Sequence, residues 1–138
     1  MTRAELEVMV AGCPFHRELG LVLEDFDQSA GHLTLSLTAK EALSRDDTRV
    51  ELHGGVIATL IDVAGDYAVA LKVGQGVPTI SLNVDYLRFA RGTKVFATAT
   101  LIKCGRSIAV VDIEVTDETG ALIAVGRGTY SSAIKSAT

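Results

Sequence analysis

A long stretch of helically spaced apolar residues is the strongest pattern in the chain. Residues 54–73 form this stretch, and on a helical wheel of residues 54–71 seven apolar side chains fall on one broad arc. The arc is formed by Val56, Ile57, Leu60, Ile61, Ala64, Ala68 and Leu71. This spacing predicts one long helix whose apolar face packs against a sheet.

Strand patterns lie on both sides of this helix. Residues 32–38 alternate between apolar and polar side chains, and residues 20–27 form a second strand candidate before the helix. Four further candidates follow the helix and are separated by turn sequences: 78–88, 93–103, 107–116 and 121–131. One long helix beside about six strands predicts an α+β fold in which a single antiparallel sheet wraps the helix.

The chain shows no internal division. Residues 2–11 are typical of a short amphipathic helix that ends at Gly12 and Pro14. The 138 residues contain no repeat, low-complexity tract or linker. We therefore predict a single domain over residues 1–138, with residues 1–14 as an N-terminal helical segment.

Composition and charge narrow the class of function. With a net charge of −4, the chain has no basic excess, which argues against nucleic acid as its main partner. No apolar run is typical of a secretory signal or a membrane helix, so we expect a cytoplasmic protein without a membrane partner. Cys13 and Cys104 lack metal-type spacing, and we place His16 and His32 in the N-terminal strand region without paired acids. No metal site is therefore expected.

Two aspartates stand out on the helix face opposite the apolar arc. Asp62 and Asp66 lie one turn apart among small and apolar residues, and no Lys or Arg precedes Lys72 in the helix. Solvated surface acids would explain them equally well. However, the apolar neighbours suggest that another subunit covers this face. A covered carboxylate is partly desolvated, and a second one nearby disfavours ionising both, which suits acid–base or nucleophilic chemistry.

The turn His53-Gly54-Gly55 precedes the helix. The first main-chain N–H groups of a helix lack internal partners and lie at the positive end of its dipole. Glycines let a ligand oxygen approach these amides, so the turn is a candidate oxyanion hole. His53 has no partner acid, and we favour a structural role in which its ring hydrogen-bonds nearby backbone over direct catalysis.

Four segments resemble the PaaI-type hot-dog thioesterases. The longest is residues 53–65, His-Gly-Gly-Val-Ile-Ala-Thr-Leu-Ile-Asp-Val-Ala-Gly. The other three are residues 79–88, 105–107 and 124–129, and the similarity extends in order over roughly residues 15–131. The resemblance implies a hot-dog fold and hydrolysis of acyl-CoA thioesters. It also implies a homodimer or dimer of dimers with active sites at the subunit interface.

The resemblance also assigns roles to residues. It implies that Asp62 is the nucleophile or general base, and that the Gly54 amide polarises the thioester carbonyl in a turn shaped by His53. The hydroxyl of Thr79 matches the position that helps to hold the attacking water. Asp47 stands where relatives usually carry Asn or Gln, and an ionised acid cannot donate a hydrogen bond there. No cofactor is expected besides the CoA of the substrate.

Further residues are candidates for substrate binding. Gly55 and Asp66 lie beside the two catalytic elements. The candidates for the CoA phosphates are the cations near strand ends and turns, Arg88, Arg91, Lys103 and Arg106. Any one of these four is as easily explained as solvated surface charge. Tyr67, Tyr86 and Phe89 are candidates for the acyl pocket, whose preferred acyl group the sequence does not name.

Two alternative functions remain open on the same fold. A hydratase or dehydratase of acyl thioesters pairs a histidine with a carboxylate, and His53 is the available histidine. A non-catalytic acyl-CoA-binding module is the second alternative, since a fold does not fix an activity. The acid at Asp62 favours catalysis.

Overall fold

The structure, a computed structural model, describes residues 1–133. Three α-helices and six strands are present in this part of the chain. The helices are α1 (Arg3–Gly12), α2 (Pro14–Leu19) and α3 (Gly54–Val73), and Glu41–Leu43 forms a short 3-10 turn. The strands are β1 (Val22–Asp27), β2 (His32–Thr38), β3 (Thr79–Tyr86), β4 (Lys94–Cys104), β5 (Ile108–Asp117) and β6 (Leu122–Ser131).

The strands form one antiparallel sheet in the order β1-β2-β4-β5-β6-β3. This confirms the predicted α+β fold, in which one sheet wraps the long helix α3. β3 follows α3 in the chain but lies at the edge of the sheet, paired on one side with β6. Its other edge pairs with no strand among residues 1–133.

The core lies between α3 and the face of the sheet that it contacts. Leu60, Ile61, Ala64 and Ala68 of the predicted apolar arc are fully buried. Small residues in the strands let the helix approach closely. At Gly126 an added Cβ would lie 2.5 Å from the Cγ2 atom of Ile61. The predicted apolar face therefore packs against the sheet as expected.

The N-terminal region differs from the prediction in one element. Thr2 and Glu5 form a capping box that starts α1. Pro14 does not simply end the helical segment, because it occupies the first turn of a second helix, α2, where its missing N–H costs nothing. His16 therefore lies in a helix, and its predicted place in the strand region is wrong. His32 begins β2, as predicted.

Two further observations concern the described residues. None of the helices within residues 1–133 is long and apolar enough to cross a membrane. The same residues contain no group of three or more His, Cys, Asp or Glu side chains placed to hold a metal ion. The single domain predicted for residues 1–138 includes residues 134–138, which lie outside the described part.

Candidate active site

Asp62 lies in the middle of α3 and is held by a hydroxyl group from the neighbouring strand. Thr79 begins β3, and its Oγ1 atom donates a hydrogen bond to Oδ1 of Asp62 over 2.6 Å. Asp62 is half-buried, and its Oδ2 atom accepts no hydrogen bond from residues 1–133. One carboxylate oxygen is therefore fixed in position, while the other is left for water or substrate.

A buried tyrosine fixes the backbone at Asp62. Tyr130 of β6 is fully buried, and its Oη atom donates to the main-chain oxygen of Asp62 over 3.1 Å. The Tyr130 side chain crosses α3 at Gly65, where an added Cβ would lie only 2.0 Å from Oη. A side chain at Gly65 would therefore push the ring away. Tyr130 was not predicted as a site residue, because the strand pattern identifies it only as part of β6.

Asp66, one turn after Asp62, is bound by its own chain. Its Oδ1 atom accepts the N–H of Val77 over 2.7 Å. Burial raises the pKa of Asp66 to about 6; the N–H of Val77 opposes this rise and the charge of Asp62 adds to it. The segment between α3 and β3 thus covers Asp66, whereas the sequence pattern suggested cover from another subunit.

The turn before α3 presents one unoccupied amide. His53 is the N-cap residue, and its Nδ1 atom accepts the N–H of Gly55 over 2.9 Å. This is the structural role favoured for His53 from the sequence, and it takes up the Gly55 amide. The Gly54 N–H has no acceptor within residues 1–133 and lies at the positive end of the helix dipole. Gly54 is therefore the residue of this turn whose amide can bind a carbonyl oxygen.

A cavity of about 320 Å³ opens beside Gly54. Tyr86 lines it, and the Tyr86 Oη atom donates to the main-chain oxygen of Gly54 over 2.9 Å. The other lining residues are Arg45, Leu52, Ile57, Leu87, Arg88, Phe89 and Ala90. Mostly apolar walls with a few polar groups are typical of small-molecule sites. A larger cavity of about 570 Å³, beside α1, contains none of the predicted site residues.

Only two of the three aromatic residues predicted for the acyl pocket lie at this cavity. Tyr86 and Phe89 line it. Tyr67 is buried and donates its hydroxyl to the main-chain oxygen of Met9, close to α1. Tyr67 therefore ties the N-terminal helix to α3 and does not line the cavity.

A buried carboxylate organises the loop before the turn. Glu51 is fully buried. Its Oε1 atom accepts a hydrogen bond from Nε of Arg45 over 2.6 Å, and its Oε2 atom accepts one from Nε of Arg91 over 2.7 Å. Arg49 Nε lies 3.4 Å from Oε2. Hydrogen bonds from Arg91 and Arg45 hold the pKa of Glu51 below its usual value. Neither Glu51 nor Arg45 was predicted as a site residue. The contact between Arg91 and Glu51 joins residues 40 positions apart, so local spacing does not indicate it.

The cations predicted for the CoA phosphates do not form one cluster in a single chain. Arg88 and Arg91 lie between β3 and β4, at the Gly54 end of the sheet. Lys103 lies at the far end of β4, and Arg106 lies in the turn that follows. The 11 residues of β4 separate the two pairs, by about 30 Å at a rise of 3.3 Å per residue.

Asp47 lies in the loop that carries Arg45 and Arg49. It is exposed and makes no hydrogen bond within residues 1–133. Its neighbour Asp46 instead shapes the loop by accepting the N–H of Thr48 over 2.6 Å. The structure therefore leaves the carboxylate of Asp47 free but does not join it to Asp62 or Gly54.

The helix itself separates the two predicted catalytic groups. Gly54 and Asp62 are eight residues apart in α3, or about 12 Å along the axis. A carbonyl group and its attacking group must lie within about 3–3.5 Å of each other. One chain therefore brings together Asp62 with Thr79, and Gly54 with His53 and Tyr86, but it does not bring both sets to one substrate.

Known proteins are similar to this chain in sequence and in fold. The Thioesterase superfamily matches residues 51–124, which include the turn, α3 and β3. The medium/long-chain acyl-CoA thioesterase YigI of Salmonella typhimurium is 32% identical over 142 residues, covering 90% of this chain and 88% of that relative.

Solved structures agree with this family. A thioesterase from Haemophilus influenzae superposes with a TM-score of 0.84 and 28% identity, covering 95% of this chain and 90% of the other. The PaaI protein of Escherichia coli shares the fold, with a TM-score of 0.82, 22% identity and coverage of 93% and 90%. These similarities confirm the resemblance drawn from the sequence. The chain therefore belongs to the thioesterase superfamily and is a thioester hydrolase with the hot-dog fold.

Proposed function

We propose that the protein hydrolyses acyl-CoA thioesters to the free acid and CoA, with Asp62 as the catalytic carboxylate. The observation that carries this proposal is the hydrogen bond of 2.6 Å from Thr79 to Oδ1 of Asp62, which leaves Oδ2 free in a half-buried position. A carboxylate that is held and yet unsaturated can act on water or on a carbonyl carbon. The name of the YigI relative supports acyl-CoA as the substrate.

The reaction requires an acceptor for the proton of water and a donor for the carbonyl oxygen. Asp62 takes the proton while the water oxygen bonds to the carbonyl carbon, and the Gly54 N–H stabilises the negative charge on the carbonyl oxygen. The carbon–sulfur bond then breaks, and the proton passes to the leaving thiolate of CoA. Alternatively, Asp62 attacks the carbonyl carbon itself, the carbon–sulfur bond breaks and CoA leaves as a thiolate. Water then hydrolyses the resulting mixed anhydride to the free acid and the Asp62 carboxylate, and the proton released passes to the thiolate.

Each active site is composed of two subunits in this proposal. Gly54 and Asp62 of one chain are too far apart to act on one thioester. Two antiparallel copies of α3 related by a twofold axis bring Gly54 of one chain beside Asp62 of the other. The free edge of β3 supports such a dimer, because an exposed eight-residue edge strand readily pairs with another strand. Ile80 on this strand is 56% exposed in the single chain.

The cavity beside Gly54 supports an apolar acyl group or pantetheine arm as its occupant. Its walls are largely apolar, with Tyr86 and Phe89 contributing aromatic surface. We infer that medium-chain or aryl-acyl esters are substrates, which agrees with the chain lengths in the name of YigI. Gly55 and Asp66, predicted to contact substrate, are both engaged within the chain and serve to shape the site.

The hydratase alternative is less well supported by the geometry. The Nδ1 atom of His53 is occupied by the Gly55 amide. A proton transfer by His53 would therefore have to use its other ring nitrogen. A non-catalytic binding module would keep the same cavity and turn, but the family to which the chain belongs favours hydrolysis.

The test is release of free thiol from a panel of acyl-CoAs of different chain length, including aryl esters. We expect hydrolysis of medium-chain or aryl-acyl-CoA well above the rate in buffer. Absence of thiol release across the panel, together with binding of CoA esters by the folded protein, would establish the binding module instead. Formation of a hydrated enoyl-CoA without thiol release would establish the hydratase.

A further inference from the structure

Two aspartates on successive turns of α3 bind the two ends of one short segment. Oδ1 of Asp66 accepts the N–H of Val77 over 2.7 Å, and Oδ1 of Asp62 accepts the hydroxyl of Thr79 over 2.6 Å. Only Pro78 lies between Val77 and Thr79 in the chain. The 77–79 segment therefore runs beside one turn of the helix and is hydrogen-bonded to it at each end.

The length of the 77–79 segment matches that of the helix turn. Asp62 and Asp66 are four residues apart, which is about 6 Å along the helix axis. Two residue steps of extended chain span about 6.6–7.2 Å. Pro78 favours the extended form, because a residue that precedes proline is disfavoured in the helical region. The segment can therefore reach both aspartates while it is extended.

Few other contacts hold this end of β3. The three residues before the segment, 74–76, are exposed. Pro78 accepts a hydrogen bond from β6, donated by the N–H of Ser131 over 2.8 Å. The pairing of β3 with β6 is irregular directly after Thr79, because its register shifts between Thr79 and Ser81. Such an irregularity disrupts the ladder locally, so pairing with β6 does not by itself fix the direction of the Thr79 side chain.

We propose that Asp66 is a positioning residue for Asp62, because it holds Val77 and thereby keeps the Thr79 hydroxyl on the catalytic carboxylate. This inference rests on the proposed hydrolysis by Asp62, and it involves no contact between Asp66 and substrate. The chain packs closely over Asp66, since an added Cβ at Gly76 would lie 3.7 and 3.8 Å from its two carboxylate oxygens. Loss of the Asp66 acceptor should release the 77–79 segment and let the Thr79 hydroxyl leave Asp62.

Two variants separate this role from an effect of the Asp66 charge. Asp66→Asn removes the charge but keeps an oxygen that accepts the N–H of Val77, whereas Asp66→Ala removes both. We expect Asp66→Asn to keep most of the parent kcat. Asp66→Ala should lower kcat by about tenfold, since a displacement of about 1 Å can cost as much as 10²-fold. Equal losses in the two variants, or full activity in Asp66→Ala, would overturn the proposal.

Asp27→Ala is the matched control for Asp66→Ala. Oδ1 of Asp27 also accepts a main-chain N–H, that of Ser29 over 2.8 Å, in the turn between β1 and β2. This turn adjoins the edge of the sheet opposite to β3. The control should keep the parent kcat. A loss in Asp27→Ala equal to that in Asp66→Ala would mean that loosening any turn lowers the rate, and it would contradict a specific role for Asp66.

A double-mutant cycle shows whether Asp66 acts through Thr79. Thr79→Val keeps the shape of the side chain but removes the hydroxyl, so Asp62 loses this hydrogen bond. If Asp66 acts through Thr79, Asp66→Ala should cause no further fall in kcat when Thr79→Val is already present. Losses that multiply in the double variant would show two independent effects and would contradict the proposal.

A crystal structure of Asp66→Ala tests the contact without turnover. Oγ1 of Thr79 should lie more than about 3.5 Å from Oδ1 of Asp62, outside hydrogen-bonding range, whereas Asp66→Asn should keep the contact. This result decides the positioning role even if the parent protein hydrolyses no acyl-CoA, an outcome in which only the proposed function fails. An intact hydrogen bond between Thr79 and Asp62 in Asp66→Ala would overturn the inference.

Discussion

The reactivity of Asp62 depends on how its two carboxylate oxygens are used. Thr79 donates a hydrogen bond to Oδ1, and Tyr130 donates one to the main-chain oxygen of the same residue. Both contacts come from strands at the β3 edge of the sheet. The carboxylate is therefore positioned by the sheet as well as by its own helix, and only Oδ2 remains for chemistry.

Replacing the carboxylate by an amide isolates its chemical role. Asp62→Asn keeps an oxygen that accepts the hydrogen bond from Thr79, so folding should be preserved. We expect kcat to fall by at least about a hundredfold, because a positioned base or nucleophile contributes roughly 10²–10⁴. The control is Asp25→Asn, an exposed acid in β1 at the opposite edge of the sheet, which should keep full activity. Wild-type kcat in Asp62→Asn would transfer the chemistry to another group.

A separate prediction concerns the effect of Asp66 on the stability of the fold. Its pKa of about 6 in the folded protein lies above its usual value of 3.8. Between these two values the folded state retains a proton that the unfolded state has lost. The contribution of Asp66 to the free energy of unfolding therefore falls as pH rises from about 4 to 6.

Asp66→Asn removes this penalty and keeps an acceptor for the N–H of Val77. Urea unfolding should show the variant and the parent as equally stable near pH 4. At pH 8 the variant should be more stable by about 1–3 kcal/mol. A difference in stability that does not depend on pH would contradict the raised pKa of Asp66. So would a variant that is less stable than the parent at pH 8.

The start of α3 is the element on which the carbonyl-binding proposal depends. Gly54→Pro removes the free N–H, and proline is well tolerated in the first turn of a helix. The backbone of His53, with φ −62° and ψ 139°, is already in the region that a following proline requires. We expect kcat to fall by about 10²–10³, as when one oxyanion donor is lost.

Gly54→Ala is the steric control for this variant. It keeps the N–H and adds a Cβ that would lie 3.3 Å from Cε1 of the Tyr86 ring, a contact that a small shift relieves. The alanine variant should therefore retain most of its kcat. Equal losses in the proline and alanine variants would mean that crowding against Tyr86, and not the amide, controls the rate.

The elements of this fold could largely be predicted because their patterns are local. α3 was predicted with the observed bounds, since a 20-residue helix repeats its apolar spacing many times. The six residues of α2 contain too few turns for such a pattern, so that helix was missed. The position of a strand in the sheet also cannot be predicted from its local sequence. β3 follows α3 in sequence, but it pairs with β6, whose residues lie far along the chain.

The candidate site was likewise predictable only where its residues are close together in sequence. His53, Gly54 and Asp62 lie in one continuous segment whose spacing could be recognised. Long-range contacts could not be predicted, because nothing near Asp66 in sequence indicates that the amide of Val77 covers it. Glu51 was not predicted as a site residue, although three arginines converge on it. Of the three, Arg91 is the one distant in sequence.

At the scale of the whole molecule, we propose that two subunits build each active site. The protein supplies Asp62 and Thr79 at one place and Gly54 at another, about 12 Å away along α3. A twofold axis beside the free edge of β3 would bring these groups together in two equivalent sites. Activity should then depend on which chains are paired, and not only on which residues each chain carries.

Complementation between two inactive variants tests this claim directly. Asp62→Asn and Gly54→Pro are prepared separately, mixed, and allowed to exchange subunits. A heterodimer then contains one site with both defects and one intact site, so random pairing should restore about a quarter of the parent activity. If each chain contained a complete site, every site in the mixture would carry one defect. A mixture that remains inactive after proven subunit exchange would contradict the shared active site.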